Sequence, residues 1–119
     1  MEEIDFTVPI KIDAKLSLNS VYGGMHWGIR KRQSDKIHKL VKTALLSNKI
    51  PKKEFEKPIE IVFSWNSKLD LDNHGYLAKL IIDGLKGYLI KDDTKKYIKT
   101  IKHKYWEGNG ARISIKEGE

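Results

Sequence analysis

The sequence contains no cysteine. That excludes a disulfide framework, a thiolate metal site and a cysteine nucleophile. No apolar run approaches the roughly eighteen residues needed to cross a bilayer. The opening stretch MEEIDFTVPIKID is acidic and then alternating, unlike a secretory leader with its basic start and apolar centre. A cytoplasmic protein is expected. Internal repeats, low-complexity tracts and interdomain linkers are also missing, and 119 residues suit a single domain, 1–119, around one core.

What the chain has in excess is positive charge. Lys and Arg number 23 against 16 Asp and Glu, a net charge of +7. On so small a domain this favours a polyanionic partner, nucleic acid foremost. A merely lysine-rich surface has the same totals, so the placement of the charges decides between the two.

The hydrophobic pattern predicts the order β-α-β-α-β-β. Ile4, Phe6, Val8, Ile10 and Ile12 alternate as one face of a strand, with Pro9 marking an edge or bulge. A loop rich in Gly, Asn and Ser is expected over residues 17–32. Ser34 or Asp35 then caps a helix in which Ile37, Leu40, Val41, Ala44 and Leu45 recur at helical spacing, ending near Asn48. Ile59, Ile61, Phe63 and Trp65 alternate in the clearest strand. Leu77, Leu80, Ile81, Gly84, Leu85 and Tyr88 make the stripe of a second helix. Two strands follow, at about 97–106 and 111–116. The Asn109-Gly110 dipeptide between them predicts a hairpin. The expected fold is α+β, with two helices on one face of a mixed sheet of roughly four strands.

The stretch Lys68-Leu-Asp-Leu-Asp-Asn73 joins the clearest strand to the second helix. Residues two apart in an extended segment point to the same side, roughly 6–7 Å apart. Asp70 and Asp72 are thus spaced to share one hard cation such as Mg²⁺, which takes one or two carboxylates and leaves positions for water and phosphate. That is the chemistry of metal-assisted phosphodiester hydrolysis. Asp72 or Asn73 equally suits a helix N-cap, which leaves Asp70 unexplained. Asp92-Asp93 reads alone as a turn after the second helix, near one end of the sheet. Lys79 and Asp83, four apart, read either as a surface ion pair or as a lysine placed to neutralise phosphate.

Taken in order, Asp70-Leu-Asp-Asn73, Lys79, Asp83-Gly-Leu85 and Asp92-Asp93 resemble the motif of the RusA family of Holliday junction resolvases. That motif runs D-x-D-N, a helical lysine, D-x-L and D-D. Asn19-Ser-Val-Tyr22 resembles the family's early Asn and Tyr loop. The resemblance implies a homodimeric, Mg²⁺- or Mn²⁺-dependent endonuclease that binds four-way DNA junctions by shape and makes paired nicks. It implies metal ligands Asp70, Asp72 and Asp93, a catalytic lysine at Lys79, and supporting roles for Asp92, Asp83 and Asn73. Cutting of flaps or other branched DNA, or a non-catalytic DNA-binding module, are the competing readings.

Two departures from the family pattern stand out. His74-Gly75-Tyr76 is an insertion ahead of Lys79. A helix starting at Asn73 would carry Lys79 roughly 10 Å from Asp72 at ~1.5 Å per residue, whereas a start near Tyr76 returns Lys79 to the first turn. Leu69 stands where a basic residue is common, with Lys68 as its substitute. For DNA contacts, Arg30, Lys31 and Arg32 lie beside Trp27 and His26, joined by Lys68, Asn19 and Tyr22. The alternative there is a basic lead-in to the helix with Trp27 buried. The four histidines are left out of the metal site.

Overall fold

Ile59–Trp65 forms the strand on which the domain is assembled, here β2. In the computed structural model, which describes residues 3–17, 20, 21, 23, 24 and 26–118, the other strands are β1 (Glu3–Val8), β3 (Ile98–Tyr105) and β4 (Ala111–Glu117). The sheet order is β1-β4-β2-β3. β4 is antiparallel to both β1 and β2, and β3 runs parallel to β2. Two helices, α1 (Trp27–Ser47) and α2 (Gly75–Leu85), complete an α+β fold in the predicted order. Short 3-10 turns at Ala14–Leu16 and Leu71–His74 precede them. No helix among the described residues is long and apolar enough to cross a membrane.

The alternation in β2 divides the sheet into two unlike faces. Ile59, Ile61, Phe63 and Trp65 are fully buried, with Ile113 and Ile115 of β4 and Val41, Leu45, Leu77, Ile81 and Leu85 of the helices. The opposite face is polar. Glu60 meets Lys102 at 2.9 Å and Lys116 at 3.3 Å, and Asp5 takes a bidentate contact from Arg112. These charges are largely mutually neutralised, so this face carries little of the net +7.

Three local expectations are corrected. β1 stops at Val8, because Pro9 cannot donate to a ladder; Ile10 is still buried, its N–H donating to the Val8 carbonyl at 2.8 Å. α1 begins at Trp27, inside the expected loop. His26 caps it, Nδ1 accepting from Gly28 N–H at 3.1 Å, while Ser34 and Asp35 lie in its interior. The hairpin does not form, because β2 is inserted between β3 and β4. A type I′ turn needs positive φ at both central residues, and Gly110 (φ 73°) has it while Asn109 does not. Gly110 instead permits a close approach: a Cβ there would lie 2.3 Å from the Val8 carbonyl oxygen. The connection crosses the end of β2, with Asn66 Nδ2 donating to the Gly108 carbonyl at 2.6 Å.

Candidate active site

The polypeptide leaves β2 at Trp65 and reaches the 3-10 turn Leu71–His74 through Asp70. Asp70 has extended dihedrals (φ −62°, ψ 150°), and its carbonyl accepts the Asn73 N–H at 3.0 Å, closing the turn. Its side chain makes no capping hydrogen bond. α2 starts at Gly75, and the residue in the cap position is His74, again with no side-chain cap. Neither carboxylate therefore acts as a helix cap. Both are exposed, and among the described residues neither joins an ion pair or a side-chain hydrogen bond. Asn73 is half-buried beside them.

Beneath this turn lies a stack of rings. Phe63 stacks on Trp65 with centroids 5.1 Å apart, and Trp65 stacks on His74 at 4.8 Å. Trp65 Nε1 donates to Nδ1 of His103 at 3.0 Å. Burial pushes the His74 imidazole below its ordinary range, against the opposing pull of the Leu71 and Asp70 carbonyls and the Asp72 charge. Burial likewise lowers His103, and the neighbouring His74 adds to the effect. The His74 ring is fully enclosed.

A second acidic group gathers at the other end of α2. Lys86, just past the helix, places Nζ 3.0 Å from Asp83, 3.2 Å from Asp93 and 3.8 Å from Asp92. Asp92 Oδ1 also accepts the Asp93 N–H at 2.8 Å. The Lys86 ammonium holds the Asp93 carboxyl below the usual carboxylate range, burial opposing it. Lys79 meets Asp83 at 3.5 Å. α2 starts at Gly75 directly after the 3-10 turn Leu71–His74, with His74 and Gly75 both in the helical region, so the two residues form no bulge and Lys79 is the fifth residue of α2.

Lys79, Asp93 and His103 line one cleft of about 400 Å³ between α2 and the edge strand β3, with Ala78, Ile82 and Ile101 as apolar wall. Asp70 and Asp72 follow the end of β2. Asp93 precedes β3, whose first residue Ile98 pairs with Ile59 at the start of β2. Among the described residues no three acidic or histidine side chains gather closely enough to hold one ion. The structure thus brings Asp93 together with Asp92, Asp83 and Lys86, and keeps Asp70 with Asp72.

Of the basic residues, Arg30 approaches Tyr76 at the start of α2. Arg30, Lys31 and Arg32 are exposed on the first two turns of α1; Lys31 pairs with Asp35 at 3.2 Å. Trp27 is 70% exposed, so the buried lead-in reading fails. Tyr76 of α2 donates to Gln33 of α1 at 2.8 Å, with the Arg30 charge nearby. The start of α1 is thereby tied to the start of α2. Lys68 is exposed two residues before Asp70. Asn19 and Tyr22 lie outside the described residues. Sequence reasoning missed Lys86, although its i,i+3 spacing from Asp83 was a readable signal.

A basic α+β domain with two carboxylates after its central strand that have no partner among the described residues, and with exposed arginines at the start of the helix bonded to the next one, has the layout of a nuclease. A family model described as Endodeoxyribonuclease RusA matches residues 25–116. The chain belongs to that family. No curated protein matches it.

Proposed function

We propose that this endodeoxyribonuclease resolves four-way DNA junctions by paired nicks, using Mg²⁺ or Mn²⁺ held first by Asp70 and Asp72. The observation that carries this reading is their availability: two exposed carboxylates two residues apart, spent on neither caps nor ion pairs among the described residues. Hard oxygen donors in that number suit Mg²⁺, with coordination left for water and phosphate. When bound, such a cation lowers the pKa of water and offsets charge on the departing oxygen. Asp93 belongs to the proposed ligand set by its place in the motif, and must leave Lys86 to join it. Lys79 stabilises the leaving group from the shared cleft. Asp83 and Asp92 support Asp93 by orienting Lys86, and Asn73 supports the turn.

Arg30, Arg32 and Lys68 provide phosphate contacts, with Lys31 available once it releases Asp35. A homodimer supplies the two sites that paired cuts on a two-fold junction demand. The test is cleavage of a synthetic four-way junction in Mg²⁺, Mn²⁺ or EDTA. Symmetric nicks that vanish in EDTA support resolution. Cuts on one arm only point to a flap nuclease, and binding without cuts in either metal points to a non-catalytic module.

A further inference from the structure

We propose that His74 is the positioning residue of the acidic turn, fixing through its two ring nitrogens the backbone that carries Asp70 and Asp72. The inference rests on the nuclease reading of those aspartates. His74 is fully buried and both nitrogens are engaged: Nδ1 lies 3.1 Å from the Leu71 carbonyl oxygen and Nε2 lies 2.9 Å from Ser67 Oγ. A carbonyl only accepts, so Nδ1 carries the proton and Nε2 is left as an acceptor. The Ser67 hydroxyl therefore donates to Nε2, and its oxygen in turn accepts the Leu69 N–H at 2.9 Å. The chain Leu69 N–H, Ser67 O–H, His74 and Leu71 carbonyl is complete, with every donor used once.

From the other side the Tyr105 hydroxyl donates to the Leu69 carbonyl at 2.6 Å, and its ring meets His74 edge-on at 6.3 Å. The residues on either side of Asp70, Leu69 and Leu71, are therefore pinned at three backbone groups, and Leu71 is also the residue before Asp72. The imidazole rests on Trp65 with planes 14° apart, so its own orientation is set by the core. A divalent ion of octahedral habit tolerates little misplacement of its ligands, and a turn held before binding spares the cost of ordering it. An apolar ring in this place fills the volume but takes away the Leu71 carbonyl's imidazole donor and the Ser67 hydroxyl's acceptor.

His74→Phe keeps the stacking and removes both hydrogen bonds; Ser67→Ala breaks the same chain from its exposed side. Four readouts apply to each folded variant: Mn²⁺ affinity without DNA, hydrogen exchange at the Leu69 amide, the Mn²⁺ concentration giving half-maximal junction cleavage, and junction binding in EDTA. We expect Mn²⁺ binding about tenfold weaker and a matching rise in the metal requirement. Leu69 exchange should be faster, and junction binding in EDTA unchanged. Should His74→Phe not fold, Ser67→Ala carries the same expectations. Wild-type metal affinity and Leu69 exchange in a folded variant would overturn the proposal while leaving the nuclease reading intact. Wild-type protein that neither binds Mn²⁺ nor cuts the junction would overturn the nuclease reading itself, and the positioning role with it.

Discussion

Trp65 donates its indole N–H to Nδ1 of His103 across 3.0 Å, joining the central strand to the edge strand behind the acidic turn. The bond requires an unprotonated Nδ1, and burial already lowers the His103 pKa below the ordinary 6.5. A base whose pKa is lower in the folded than in the unfolded state takes up its proton preferentially on unfolding. Its contribution to stability is complete above about pH 6.5 and is lost as pH falls below that value. The melting temperature is therefore expected to fall between pH 7.5 and 5.5, and to fall less steeply in His103→Gln. Calorimetry across that range checks it; parallel curves for the two proteins would refute the assignment.

Asp70→Asn should abolish cleavage, by at least about a hundredfold, because it removes one of only two unpartnered hard ligands on the turn. Junction binding in EDTA should be kept or tightened, since one charge repelling phosphate is gone. Gel-shift and cleavage assays on one preparation read both. An active Asp70→Asn enzyme excludes the metal assignment.

Lys86→Met leaves Asp83, Asp92 and Asp93 without their shared cation. A loss of about 1 kcal/mol at pH 7 is expected, discounted for partial exposure and smaller at high salt. The Asp93 pKa is lowered in the folded state, so its contribution is present above the ordinary 3.8 and disappears as pH falls through the folded value. The difference between variant and wild type should accordingly begin to narrow below about pH 4 and close only below the folded value. Urea titrations at pH 7 and in steps downward from about pH 4 measure it.

Arg30→Ala and Arg32→Ala should each weaken junction binding across all junction sequences alike. Each should also reduce the slope of log affinity against log salt by about one, if each arginine neutralises one phosphate. Lys31→Ala should do less at low salt, because Asp35 already neutralises part of that charge. An unchanged salt slope in both arginine variants would remove α1 from the DNA interface.

The element order, the buried faces of β1 and β2 and most of both helical stripes were legible in the sequence, although Tyr88, expected on the second stripe, lies past the end of α2 at Leu85. Burial imposes a period of two on Ile59 to Trp65 and of 3.6 on Leu77 to Leu85, whatever lies around them. The availability of Asp70 and Asp72 was half legible: spacing put them together, but only the structure shows that neither is used as a cap. The start of α1 was not legible, because Gly28 and a basic run look like loop until His26 caps the turn. The hairpin was misread for a related reason. Asn-Gly signals a tight turn between neighbours, and nothing local reveals that β2 lies between β3 and β4.

The tertiary structure alone decided what holds the acidic turn and what holds Asp93. His74 is a residue of an apparent insertion until Trp65, Ser67 and Tyr105 are brought around it from two strands and a loop. Lys86 is one of many lysines until the turn after α2 folds Asp92 and Asp93 back onto it. Periodicity is a property of neighbours along the chain and survives in one dimension. Hydrogen-bond and charge partners are set by distance in space, and these were chosen only when the sheet closed.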